Sequence, residues 1–242
     1  MAKEFPFGRA PFDISSVDFL SRPRYGELPE RELKFWEYMI RQRRTASWAR
    51  QQFGIGGGSA GSESAQRERP DGPVWCFTRL GRSVTQLRDG SLVYIGGEHE
   101  DFYDSDFCIY NDVVVEDTSG NITIRGYAKD VFPPTDFHTA TLVGDEIWVI
   151  GSLGYQDLRR AGETQVMRFG IDDHRIKSVA TSGDNPGWIS GHTATFERRS
   201  REISVTGGKV WVSTEGETKL IPNIDTFILL LDTLAWRRLD RS

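Results

Sequence analysis

Cysteine is scarce in this 242-residue chain. Only Cys76 and Cys108 occur, too few for a disulfide framework and without metal-ligand spacing, so a stapled secreted scaffold is excluded and two reduced thiols are expected. Long apolar runs are missing as well. No stretch approaches the roughly 20 residues that a membrane-spanning helix needs, and the opening MAKEFPFG has no apolar core of a signal peptide. Nor is there an excess of positive charge: 30 Lys and Arg stand against 35 Asp and Glu, a net charge of −5, which argues against a general nucleic-acid or anionic-lipid surface. The expectation is a soluble cytoplasmic protein with neither nucleic acid nor membrane as partner. No nucleophile-elbow pattern supports an α/β-hydrolase: the one G-x-S-x-G, at 57–61, lies inside a polar Gly/Ser tract and not between a strand and an apolar helix.

What the sequence does have is a motif written three times. Residues 92–97 (LVYIGG), 147–152 (IWVIGS) and 203–208 (ISVTGG) are apolar, β-branched runs that end in a pair of small residues. That recurrence is too long for a helical hairpin repeat and suits a unit of four strands. Each copy divides in the same way. A first strand (83–87, 139–142, 193–196) meets a short polar turn, and the Gly-ended second strand follows. A third strand (109–115, 165–169, 227–231) closes on Asp117, Asp172 or Asp232, each placed to fold back on the next turn. A fourth strand is led by Ile122, Ile176 or Trp236.

Pro-containing approach segments, FPPTDFH at 132–138 and NPGWISGH at 185–192, precede the second and third copies. His138 and His192 therefore hold equivalent positions, with Arg82 in that place in the first copy. Recurrence with the repeat points to a structural role for both, satisfying backbone, over a metal site. Gly96, Gly97, Gly151, Gly207, Gly208 and Trp236 are likewise read as positions the repeat itself requires.

From about Arg79 to Leu239, two-thirds of the chain, these features resemble kelch repeats. Gly-Ser at 151–152 and a fourth-strand Trp present only as Trp236 depart from that pattern. The resemblance implies an all-β fold of three four-stranded antiparallel propeller blades, preceded by an N-terminal helix. Propellers ordinarily close with four to eight blades, so three make half a ring with exposed ends, which a second copy or the chain's own helix would cover. A homodimer closing the ring is the favoured expectation. The kelch class also includes copper oxidases and sugar-acid isomerases; Cys108 and Tyr110 alone do not make the copper ligand set.

Ahead of the repeats, residues 1–53 read as an irregular arm plus a helix from about Pro29 to Arg44. Leu33, Trp36, Met39 and Ile40 fall on one face, with acids early and arginines late to suit the helix dipole. Residues 54–73 read as a Gly/Ser-rich linker, and 74–242 as the repeat region. The linker formally contains G-x-G-x-x-G at 56–61, but neither a strand before it nor an apolar helix after it supports a nucleotide site.

Loops on a rigid scaffold are the usual place for function. The loop EHEDFYDSD at 98–106 offers Glu98, His99, Glu100, Asp101, Tyr103, Asp104 and Asp106, and its counterpart in the second copy is basic, with Arg159 and Arg160. This complementarity points to protein contact, including self-association. The residues favour a non-catalytic interaction module that takes a protein or peptide partner and needs no cofactor. The alternative is an enzyme or divalent-cation-dependent binder, with carbohydrate as its ligand class, using Glu98, Glu100 and Asp101 as oxygen ligands.

Overall fold

The computed structural model describes residues 25–28, 34–45, 75–99, 107–214 and 217–239. The linker and most of the acidic loop lie outside these residues. The chain divides into two compact units. The described part of the first is built on helix α1 (Lys34–Gln42). Trp36, Met39 and Ile40 are buried, as their spacing on one helical face requires. The helix stops where Arg43 adopts φ +53°, and Glu37 and Arg41 pair one turn apart at 2.6 Å on its exposed side. Trp36 stacks on Trp75 with ring centroids 4.8 Å apart and planes 4° from parallel. Thr78 Oγ1 donates to the carbonyls of Arg43 and Arg44, so the stretch from Trp75 to Thr78 is held against the helix.

The second unit is almost entirely antiparallel sheet. Its strands are β1 (Tyr25–Leu28), β2 (Ser83–Gln86), β3 (Leu92–Ile95) and β4 (Glu98–His99), then β5 (Cys108–Ile109), β6 (Asp112–Glu116) and β7 (Ile122–Ala128); β4 and β5 straddle its border with the first unit. Next come β8 (Thr139–Val143), β9 (Glu146–Ile150), β10 (Val166–Gly170), β11 (Ile176–Ser178), β12 (Ser182–Gly183) and β13 (Trp188–Ser190). The last are β14 (Thr193–Glu197), β15 (Glu202–Thr206), β16 (Lys209–Thr214), β17 (Glu217–Pro222), β18 (Thr226–Leu230) and β19 (Ala235–Leu239).

Three meanders of four strands result: sheet I (β2-β3-β6-β7), sheet II (β8-β9-β10-β11) and sheet III (β14-β15-β18-β19). All three sit where the repeats place them. Sheet I gains β1 on the outer side of β7, with Tyr25 opposite Ala128. Sheet III gains β12, parallel to β19. Tyr25–Leu28 falls in the stretch expected to be irregular; the strand is too short to show alternation and is held by main-chain pairing. A further sheet, β13-β16-β17, grows out of the loop after β15 and was not anticipated.

Alternation along each strand sends one set of side chains to either face, so sheet II is apolar on both. Ile147, Val149, Met167 and Phe169 pack with Val93, Ile95 and Val113 of sheet I. Trp148, Ile150 and Val166 pack with Ile203, Val205, Phe227, Leu229 and Trp236 of sheet III. The far side of sheet III is different. Thr193 lies opposite Thr206, Thr195 opposite Ser204 and Glu197 opposite Glu202, while Glu202 also pairs with Arg237. Where sheet II presents Trp148 and Ile150, the corresponding positions of sheet III are Ser204 and Thr206. The same face also carries Ile228 and Leu230, opposite Ser204 and Glu202.

The turn after the third strand differs between copies. Asp117 Oδ1 accepts from the N–H groups of Ser119 and Asn121 at 2.8 Å each, the expected Asx arrangement. In the second copy Asp173 does this, accepting from Arg175 N. In the third, Asp232 pairs with Arg201 at 2.7 Å.

Candidate functional site

Successive copies meet along a seam whose chemistry repeats. The second small residue of each pair donates its N–H to the approach segment of the next copy, Gly97 to the Thr135 carbonyl at 2.8 Å and Ser152 to the Ile189 carbonyl at 2.9 Å. The residue before it must be glycine for two reasons. Gly96 and Gly151 have φ +55° and +74°, and an added Cβ would run into the carbonyl oxygens of Thr135 and Ile189. Gly207, the third member of the series, meets nothing within 4 Å.

The histidines stitch the same seam. His138 Nε2 lies 2.8 Å from Ser83 Oγ, and His192 Nε2 lies 3.0 Å from Thr139 Oγ1. Each thus reaches back to the hydroxyl that opens the preceding copy, a side-chain link rather than the expected backbone one. Neither Nδ1 has a partner among the described residues. Burial, reinforced by repulsion from His192, drives the His138 pKa down to about 3, and burial alone takes His192 to about 4. Both rings are neutral at physiological pH.

Beside this seam the structure gathers a polar cluster centred on Asp136, which the sequence reading did not single out. Asp136 is fully buried. Its Oδ1 accepts from Gly154 N at 2.7 Å and, weakly, from Ser152 Oγ at 3.4 Å. Burial raises its pKa; Gly154, Glu98, Ser152 and the charge of Arg159 oppose the rise. Asp136 Oδ2 has no hydrogen-bond partner among the described residues. Arg159 is fixed by donating to the carbonyls of Leu153 at 2.9 Å and Gly154 at 3.1 Å. Glu98 and Arg159, expected as complementary loop residues, therefore converge on one buried carboxyl. Arg160 points elsewhere and donates to the Asp157 and Arg159 carbonyls.

Of the acidic loop only Glu98 and His99 are described; Glu100, Asp101, Tyr103, Asp104 and Asp106 lie outside the described residues. Among the described residues, no three His, Cys, Asp or Glu side chains are grouped to hold a metal ion, and no helix is long and apolar enough to cross a membrane.

Two further features lie on this unit. The hairpin β16–β17 carries exposed Leu220 and Ile221, and beyond it Ile224 is 70% exposed. A cleft of about 540 Å³ opens where β11 ends, walled by Pro133, Pro134, Met167, Val179, Thr181 and Trp188 among others. Comparison with protein-family models gives no match, and comparison with curated proteins gives none.

Proposed function

We propose that the chain is a protein-interaction module built on three kelch-like blades, a half propeller that offers the loops after its second strands to a protein or peptide partner. The observation that carries this reading is the hairpin β16–β17. It replaces the third of those loops with a projecting strand pair and leaves Leu220, Ile221 and Ile224 exposed. Apolar side chains left exposed on both faces of a strand pair suit a contact site, and the repeating seam of Gly and His links supplies a rigid support. Glu98 and Arg159 act in this reading as the polar ground of the same loop face, with Asp136 holding Arg159 in place.

The test is affinity capture from the cells that make the protein, with the wild type and the L220E/I224E double variant as baits. A set of captured proteins that is lost with the double variant but kept with a charge change elsewhere, R88E in the exposed turn between β2 and β3, is the expected result. An identical set from wild type and L220E/I224E would refute the loop-face reading.

A further inference from the structure

The outermost strand of each meander is a potential free edge, and this protein treats the three edges differently. In sheet I the edge strand β7 is covered by β1. In sheet III the edge strand β19 is covered by β12. In sheet II no described strand covers β11. Two of three equivalent edges thus carry an added strand, one antiparallel and one parallel, so the geometry of these sheets accepts strand addition in either direction.

The bare edge has the groups that addition requires. Gly170 N donates to the Arg175 carbonyl and Val179 N to the Val166 carbonyl, so residues 175, 177 and 179 turn their backbone toward β10. By the alternation of an antiparallel ladder, Ile176 and Ser178 turn their N–H and C=O groups outward. Beside them stand two exposed cations, Arg175 and Lys177, which make no ion pair among the described residues. At the other end of the edge the chain runs into the cleft described above. Its lining includes Met167, Val179 and Trp188 together with Asp130, Arg160 and Glu163.

We infer that the β11 edge binds an extended peptide segment of a partner protein by strand addition, with an acidic residue of that segment at Arg175 and Lys177 and an apolar side chain in the cleft. Main-chain bonds to Ile176 and Ser178 supply the register, and the alternate side chains supply selectivity. Lysine on an edge strand is also a device that discourages indiscriminate pairing, and an acidic partner is the one this device does not repel. The inference rests on the interaction-module reading for the existence of a partner, but it places the contact away from the hairpin β16–β17, at the β11 edge and a cleft that the loop after β9 helps to line.

A phage-displayed library of random dodecapeptides, selected on the full-length protein, tests it. The expected result is enrichment of peptides in which acidic and large apolar residues alternate. A synthetic copy of an enriched peptide should slow amide exchange at Ile176 and Ser178 by tenfold or more. K177E should weaken that peptide at least tenfold, S178P should abolish its binding by removing an outward N–H, and L220E/I224E should leave it unchanged. K177E, a change at an exposed side chain, keeps the test decisive if S178P fails to fold. Selection of uncharged peptides, binding without protection of the two amides, or equal binding by K177E would overturn the inference. Concentration-dependent protection of the same amides without peptide would overturn it in favour of a second copy on the edge. Loss of the captured partners with L220E/I224E while the selected peptide still binds would separate the two surfaces.

Discussion

Acidification should destabilise this protein through two side chains, and the size of the effect follows from the seam. His138 and His192 are neutral in the folded protein, with pKa values of about 3 and about 4 against an ordinary 6.5. Because the folded values lie below the free one, the unfolded chain binds the extra protons. Stability is therefore unaffected above pH 6.5 and falls as the pH drops from there toward the folded values. At pH 5 each histidine removes about 2 kcal/mol, so the pair removes roughly 4 kcal/mol, a substantial part of the 5–15 kcal/mol typical of a domain. Urea unfolding followed by tryptophan fluorescence at pH 7.5 and pH 5 measures the loss. With a slope of about 2 kcal/mol per molar urea, the wild-type midpoint should drop by about 2 M more than that of the H138Q/H192Q variant. Glutamine keeps a hydrogen-bonding group near Ser83 and Thr139 but does not titrate, so the other ionisable groups cancel in the comparison. Asp136 works in the opposite direction: its pKa is raised by burial, so it stabilises the fold as the pH falls, and D136N should make the acid loss steeper. Equal pH dependence of wild type and H138Q/H192Q would refute the seam as described.

Two other outcomes follow from the ends of the array. G96A and G151A force a side chain against a neighbouring carbonyl as well as into positive φ, and should cost 3 kcal/mol or more, whereas G207A, with open space around it, should cost only about 1–2 kcal/mol for the left-handed backbone; thermal unfolding of the three variants would rank them. Ser204, Thr206 and the Glu202–Arg237 pair on the far side of sheet III add a desolvation cost to ring closure by a second copy, and on that ground light scattering at micromolar concentration is expected to give the mass of one chain. The mass of two chains would restore the ring-closing dimer.

The meanders were legible because their signals are local: an apolar run, a turn with Asp89-Gly90 or Gly144-Asp145, and a pair of small residues, repeated in register. The hairpin β16–β17 carried a signal of the same kind, Lys209 to Thr214 before Glu215-Gly216, yet the repeat assigned that stretch to a loop. Asp136 left no such trace. It lies in an approach segment whose counterpart in the third copy is Ser190, and its importance comes from complete burial beside Arg159, which spacing does not reveal. The histidines were readable as structural from their recurrence, but their partners were not. Ser83 and Thr139 lie some 50 residues upstream of them, and only the stacking of successive sheets brings each hydroxyl to its ring. The cleft, too, arises from the shortness of β11 against its neighbours, a property of three sheets at once.

The stacked Trp36 and Trp75 carry one more consequence. They hold together two points of the chain that lie 39 positions apart in the sequence. The entropy of closing a loop between two such points grows only with the logarithm of its length, about 0.6 kcal/mol for each doubling. Gly54 to Ser64, the most monotonous part of the sequence, is therefore a place where residues can be gained or lost with little effect on folding. Its length is set loosely by thermodynamics, while the two indole rings that hold its ends are not interchangeable with smaller side chains.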